Sequence, residues 1–214
     1  MAEVPASAKP ALGRHHVEIH SAGVADVIQA VYAESIFERQ HRPYHRKGRG
    51  SREAASEWAL DVRRPLSRSG LLGPLAVAML AELRRLNIRQ VAGMGYGSFA
   101  LLGGIVAVGD DISSALIRQE PKRYGFLEVL EGALDARQPV AIVDDLLSTG
   151  HSAIRAAALL RAQGMNPTVL LTVFRFSWRG GRELLRYHGI GSVSLASLSA
   201  AWPTDQARPP GPRP

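Results

Sequence analysis

One stretch constrains this chain more than any other: Val140 to Gly150, VAIVDDLLSTG. Apolar residues Val140, Ala141, Ile142 and Val143 run into two adjacent carboxylates, Asp144 and Asp145, then into a small hydroxyl-bearing turn, Leu146 to Gly150, ahead of a helical pattern. The order predicts a strand, a turn and a helix N-terminus. Amides left over at a helix start, aided by the helix dipole, form an anion site. The Ser148 and Thr149 hydroxyls add donors, and Gly150 lets a ligand approach without a Cβ in the way. Two acids at the edge of an anion site need another kind of partner, either hydroxyls or a cation. A phosphorylated sugar with Mg²⁺ meets both demands.

The chain around this stretch alternates strands with helices. Leu72, Leu75, Ala76, Met79, Leu80, Leu83 and Leu86 recur at helical spacing, so a helix is expected over Leu71 to Leu86, stopped by Asn87. A short buried strand follows at Gln90 to Met94, then a glycine-bearing turn, Gly95-Tyr96-Gly97-Ser98, then a helical pattern from Phe99 to Val108. This repeats the strand, loop and helix order, and so marks a second candidate phosphate site. Ser113 to Ile117 reads as β, Asp135 to Pro139 as a turn, Ser152 to Gln163 as an Ala-rich helix capped by Gly164, and Thr168 to Val173 as a strand. A short helix over Glu183 to His188 and a last strand over Gly191 to Leu198 complete the pattern. The expected class is α/β, with a central mostly parallel sheet, helices on both faces and the ligand at the carboxyl ends of the strands.

The N-terminal part is different. A helix is expected from Ala22 to about Gln40 on the spacing of Val24, Val27, Ile28 and Val31, then a short strand at Trp58 to Val62 and a turn over Arg63 to Gly70. Between them lies a basic run, Arg39 to Arg52, read as a solvated loop, as an electropositive rim to the cleft or as a nucleic-acid contact. Only Tyr44 offers an aromatic platform within it, so nucleic acid is possible but not favoured. His15, His16, His41 and His45 lack a carboxylate at ligand spacing and are not read as a metal site. The division expected is a disordered arm over 1–14, an N-terminal helix and hood over 15–70, a core over 71–202 and a Pro-rich disordered tail over 203–214.

The formal charge of +7 favours anionic partners. With no cysteine there is no disulfide framework, thiolate nucleophile or thiolate metal site. Neither a signal-peptide core nor a bilayer-length apolar run is present, so a cytoplasmic location without membrane contact is expected.

The stretch VAIVDDLLSTG resembles the phosphoribosyl-pyrophosphate (PRPP) motif of the type I phosphoribosyltransferases. A second segment, Arg118-Gln119-Glu120-Pro121-Lys122-Arg123-Tyr124-Gly125, is similar to the loop of the orotate phosphoribosyltransferases in its Arg118, Glu120, Lys122 and Gly125, with Glu131-Gly132 following as an expected turn. Gln119 stands where the family pattern has Lys, and Tyr124 where it has His. The resemblance implies the type I phosphoribosyltransferase fold with a small N-terminal hood, a PRPP and base substrate pair, pyrophosphate as product, Mg²⁺, and a homodimer whose loop reaches the neighbour's site. It implies that Asp144 and Asp145 hold the ribose hydroxyls directly or through Mg²⁺, with or without water between. Leu146, Leu147, Ser148, Thr149 and Gly150 would bind the 5-phosphate, and Gly95, Tyr96, Gly97 and Ser98 the pyrophosphate. Arg118 and Lys122 would serve the leaving group, where a cation stabilises charge that grows in the transition state. Ser148 and Arg175 are the candidates for contact with the base, an orotate-like one first, although the hood leaves the acceptor open. The rival is a PRPP-sensing regulator or nucleic-acid-binding protein on the same fold, without turnover.

Overall fold

The structure, a computed structural model, describes residues 15–38, 58–118 and 129–200. The expected arm, the Pro-rich tail, the basic run Arg39 to Arg52, His41, His45 and the loop residues Glu120, Lys122, Tyr124 and Gly125 lie outside the described residues.

The chain opens with β1 (His15–Ile19) and α1 (Ala25–Ser35). The helix stops at Ser35, short of the expected Gln40, because Ile36–Glu38 forms β2 and pairs antiparallel with β3 (Trp58–Leu60). The expected turn over Arg63 to Gly70 is instead α2 (Arg63–Leu66) and the start of α3 (Ser69–Arg85). Val62, Pro65 and Leu66 are buried there, and that burial outweighs the weak helix signal of RRPL. Then follow β4 (Gln90–Gly93), α4 (Tyr96–Val108), β5 (Ser113–Ile117), β6 (Leu130–Gly132), β7 (Pro139–Leu147), α5 (His151–Ala162), β8 (Asn166–Phe176), α6 (Gly181–Tyr187) and β9 (Gly191–Ala200).

Seven strands form one sheet in the order β1-β9-β8-β7-β4-β5-β6. The inner five are parallel, and β1 and β6 close the edges antiparallel. The sequence reading has no strand before the first helix. Yet β1 joins this sheet, with His15 opposite Ala200 and Ile19 opposite Ala196. Glu131-Gly132, expected as a turn, is edge strand.

Alternation along β7 shows how the sheet is covered. Ala141 and Val143 pack into a core shared with α1, α2, α3 and α4, whereas Val140 and Ile142 pack with α5 and α6. A strand buried on both faces has no room for the polar alternation of a half-exposed one, which is why VAIV is continuous. Helix stops follow the expected chemistry. Asn87 is left-handed at φ 55°, and the Ile88 amide donates back to the Leu83 carbonyl at 2.9 Å, closing α3 with a Schellman turn. Among the described residues no helix is long and apolar enough to cross a membrane.

Candidate functional site

β4, β5, β7 and β8 end at the same edge of the sheet, and the candidate residues gather there. The acids come first. β7 runs on through Asp144 and Asp145 to Leu147, past the expected boundary, because pairing with β8 continues: Asp144 lies opposite Thr172, Leu146 opposite Phe174 and Leu147 opposite Arg175. Leu146 and Leu147 are therefore strand, and the turn is left to Ser148, Thr149 and Gly150.

Asp144 and Asp145 are half-buried and crowd each other. Burial and the neighbouring Asp145 charge raise the Asp144 carboxyl to about 7, while hydrogen bonds from the Asp145 amide (3.0 Å) and the Ser98 hydroxyl (3.3 Å) work against that shift. Burial also raises the Asp145 carboxyl above its ordinary value. The Arg63 guanidinium opposes this, and the Asp61 carboxylate adds to it. Arg63 is itself braced by Asp61, whose Oδ1 accepts from Arg63 Nε at 2.7 Å. The sequence reading left Arg63 in a turn. The one signal available was an Asp near the end of a predicted strand with an Arg two residues on, directly after it.

Two loops flank the acids. Gly95, at φ 103°, begins α4 with no side-chain cap, and the first turn of that helix carries no acid. Gly97 lies so close to Asp145 that a Cβ there would fall 2.5 Å from the carboxyl carbon. Only glycine lets the acid lie against the helix start. The helix begins at Tyr96, earlier than the expected Phe99, so Tyr96, Gly97 and Ser98 form its first turn. Gly150, at φ 82°, begins α5 in the same way, again with no side-chain cap and no acid in the first turn. Thr149 is exposed, with its Oγ1 3.0 Å from His151 Nδ1, and Ser148 is half-buried, its carbonyl pressed against Gly181.

The remaining candidates stand further out. Arg175 is half-buried near the end of β8, beside Leu147 on one side and Ser197 on the other. Arg118 follows β5, and its Nη1 donates to Glu131 Oε1 at 2.6 Å. Arg118 and Glu131 share a pocket of about 430 Å³ with Gly95, Tyr96, Phe99 and the end of β5. The structure thus brings together Gly95 to Ser98, Arg118, Asp144 to Gly150 and Arg175, while Lys122 lies outside the described residues.

Among the described residues no three His, Cys, Asp or Glu side chains cluster to cage a metal. Two crowded carboxylates, unwilling to ionise together, suit a cation held by one or two protein oxygens and otherwise by substrate and water. That is the habit of Mg²⁺.

No protein-family model matches the chain. Over 142 residues it is 30% identical to uridine 5'-monophosphate synthase of Bos taurus, covering 65% of this chain and 29% of that protein. Over 109 residues it is 33% identical to orotate phosphoribosyltransferase of Halobacterium salinarum, covering 51% of this chain and 61% of that one. The chain thus spans less than two thirds of the length of each. Among solved structures, Mycobacterium tuberculosis orotate phosphoribosyltransferase in complex with Fe(III) dicitrate aligns with a TM-score of 0.66 at 21% identity, over 80% of this chain and 94% of that one. Adenine phosphoribosyltransferase of Saccharomyces cerevisiae aligns at 0.59 and 21%, over 80% of this chain and 99% of that one. At such identities the structural likeness is one of fold.

Proposed function

We propose that this chain, a relative of the orotate phosphoribosyltransferases that shares the type I phosphoribosyltransferase fold, transfers the 5-phosphoribosyl group of PRPP to a nitrogenous base and releases pyrophosphate. An orotate-like base is the first acceptor to try, on the names of its sequence relatives. The observation that carries the reading is the Asp144–Asp145 pair at the end of β7, set between two helix starts that lack both acid and side-chain cap.

Each part has a task. Asp144 and Asp145 hold the ribose hydroxyls, and Ser98, through its 3.3 Å bond to Asp144, keeps the first acid oriented. The amides of Ser148, Thr149 and Gly150 and the start of α5 take the 5-phosphate; those of Tyr96, Gly97 and Ser98 take the pyrophosphate. Arg118 and Lys122 stabilise charge as it accumulates on the leaving group, more in the transition state than before it. Arg175 offers a fork of donors suited to an acidic base. Mg²⁺, held by Asp144 and Asp145 directly or through water, would supply charge neutralisation and a template for the pyrophosphate oxygens. The resemblance further supports a homodimer.

Calorimetric titration with PRPP and Mg²⁺, followed by pyrophosphate release across a panel of bases, tests the reading. Binding with release for orotate or a related base is the expected result. Binding with no release for any base points to a sensor without turnover instead. Absence of PRPP binding, with Asp144→Asn and Asp145→Asn indistinguishable from the parent, overturns the reading.

A further inference from the structure

The ion pair between Arg118 and Glu131 sits where the proposed reaction must let go of a product. β5 and β6 pair antiparallel, with Leu116 opposite Glu131 and Ile117 opposite Leu130. The Arg118 amide donates to the Val129 carbonyl at 2.8 Å and so ties the two strand ends together. Gly132 keeps this register, since at φ 137° a Cβ would collide with the Ser114 carbonyl. The hairpin therefore delivers Glu131 to Arg118, and the two side chains, 36% and 39% exposed, meet at 2.6 Å. Both line the pocket that Gly95 and Tyr96, at the start of α4, also line. An anion seated on that helix start shares the pocket with a cation and a carboxylate.

We propose that Glu131 competes with pyrophosphate for the Arg118 guanidinium, loosening the product after transfer and speeding its departure. The inference rests on the phosphoribosyl-transfer reading, in which Arg118 serves the leaving group. Two effects of Glu131 oppose each other. The pair holds Arg118 in place, which favours anion binding, but a half-exposed ion pair does little to fix a side chain. The Glu131 carboxylate occupies guanidinium donors and offsets the Arg118 charge that a polyanion would otherwise meet, in a cleft where water screens less than in bulk. The second effect wins, so Glu131 is a positioning residue that weakens product binding.

The test is the Kd of inorganic pyrophosphate, with Mg²⁺, measured by calorimetry on the full chain. E131Q is expected to bind about three- to fivefold tighter, with E131D close to the parent and E131A of the same sign as E131Q. In an R118A background E131Q is expected to change nothing. Steady-state kinetics of E131Q should show KM for PRPP and kcat falling together, which a merely structural prop would not produce. Weaker or unchanged binding in a folded E131Q or E131A overturns the proposal, and so does the same tightening without Arg118. A parent protein that binds neither PRPP nor pyrophosphate brings down the phosphoribosyl-transfer reading, and this inference with it. A parent that binds both while E131Q leaves them untouched brings down this inference alone.

Discussion

The β4–α4 and β7–α5 joints are built alike and backed differently. In each, a buried strand ends, a glycine of positive φ turns the chain (Gly95 at 103°, Gly150 at 82°), and a helix starts without side-chain cap or acid. At the first joint the close approach is to a side chain, Gly97 against the Asp145 carboxylate. At the second it is backbone on backbone, with Gly150 against the Gly181 carbonyl and Gly181 against that of Ser148. A carboxylate can turn away from an intruding atom, whereas a packed backbone cannot. Disturbing the first joint should therefore cost binding, and disturbing the second should cost folding as well.

The largest effect is expected at the acids that the first joint supports. Asp144→Asn should weaken PRPP–Mg²⁺ binding by about 2–5 kcal/mol, the scale of losing a buried charged partner, read by calorimetry. The same substitution should raise stability. The folded Asp144 carboxyl, raised to about 7, binds a proton more readily than an unfolded aspartate near about 4. The native state thus holds more protons between those values, and the stability contribution of Asp144 falls as pH rises through them. Thermal melts should show Asp144→Asn more stable than the parent by about 1–2 kcal/mol at pH 8, after allowing for solvent screening, with the gain shrinking toward pH 5. A gain that grows as pH falls would reverse the sign and break this account of the acids.

Gly181→Ala should cost about 1–3 kcal/mol of stability, seen as a lower Tm, because its new Cβ meets the Ser148 carbonyl and Leu147. Phosphate affinity should fall with it. Gly97→Ala should lower PRPP affinity about tenfold, or about 1.4 kcal/mol, by pushing the Asp145 carboxylate aside, while moving Tm less than Gly181→Ala does. If Gly97→Ala proves the more unfolding of the two, the contrast between the joints fails. The smallest effect is a control on α4 away from either joint. Gly103 has open space where a Cβ would go, so Gly103→Ala should add about 0.5–1 kcal/mol of stability and leave PRPP affinity alone.

The legible part of the site was the part that sequence neighbours build. VAIV followed by two acids and a Ser/Thr/Gly turn reads as one unit, because strand, turn and helix start are adjacent in the chain. Gly95 to Ser98 was legible for the same reason. The boundaries were not. β7 extends to Leu147 because β8 offers partners as far as Arg175, and α1 stops at Ser35 because β3, beyond a long intervening segment, pairs with Ile36–Glu38.

By itself the sequence determined the α/β class, the inner strands and their helices, and the place of the two acids, since apolar period, glycine position and charge order act over a few residues. Only the tertiary structure decided that His15–Ile19 completes the sheet against the last strand, and that the Arg63 charge bears on Asp145. It also decided that Glu131 holds Arg118 and that Gly97 gives way to a carboxylate 48 residues further along. Strand pairing and ion pairing join groups by distance in space, and no local period records which remote residue will arrive there.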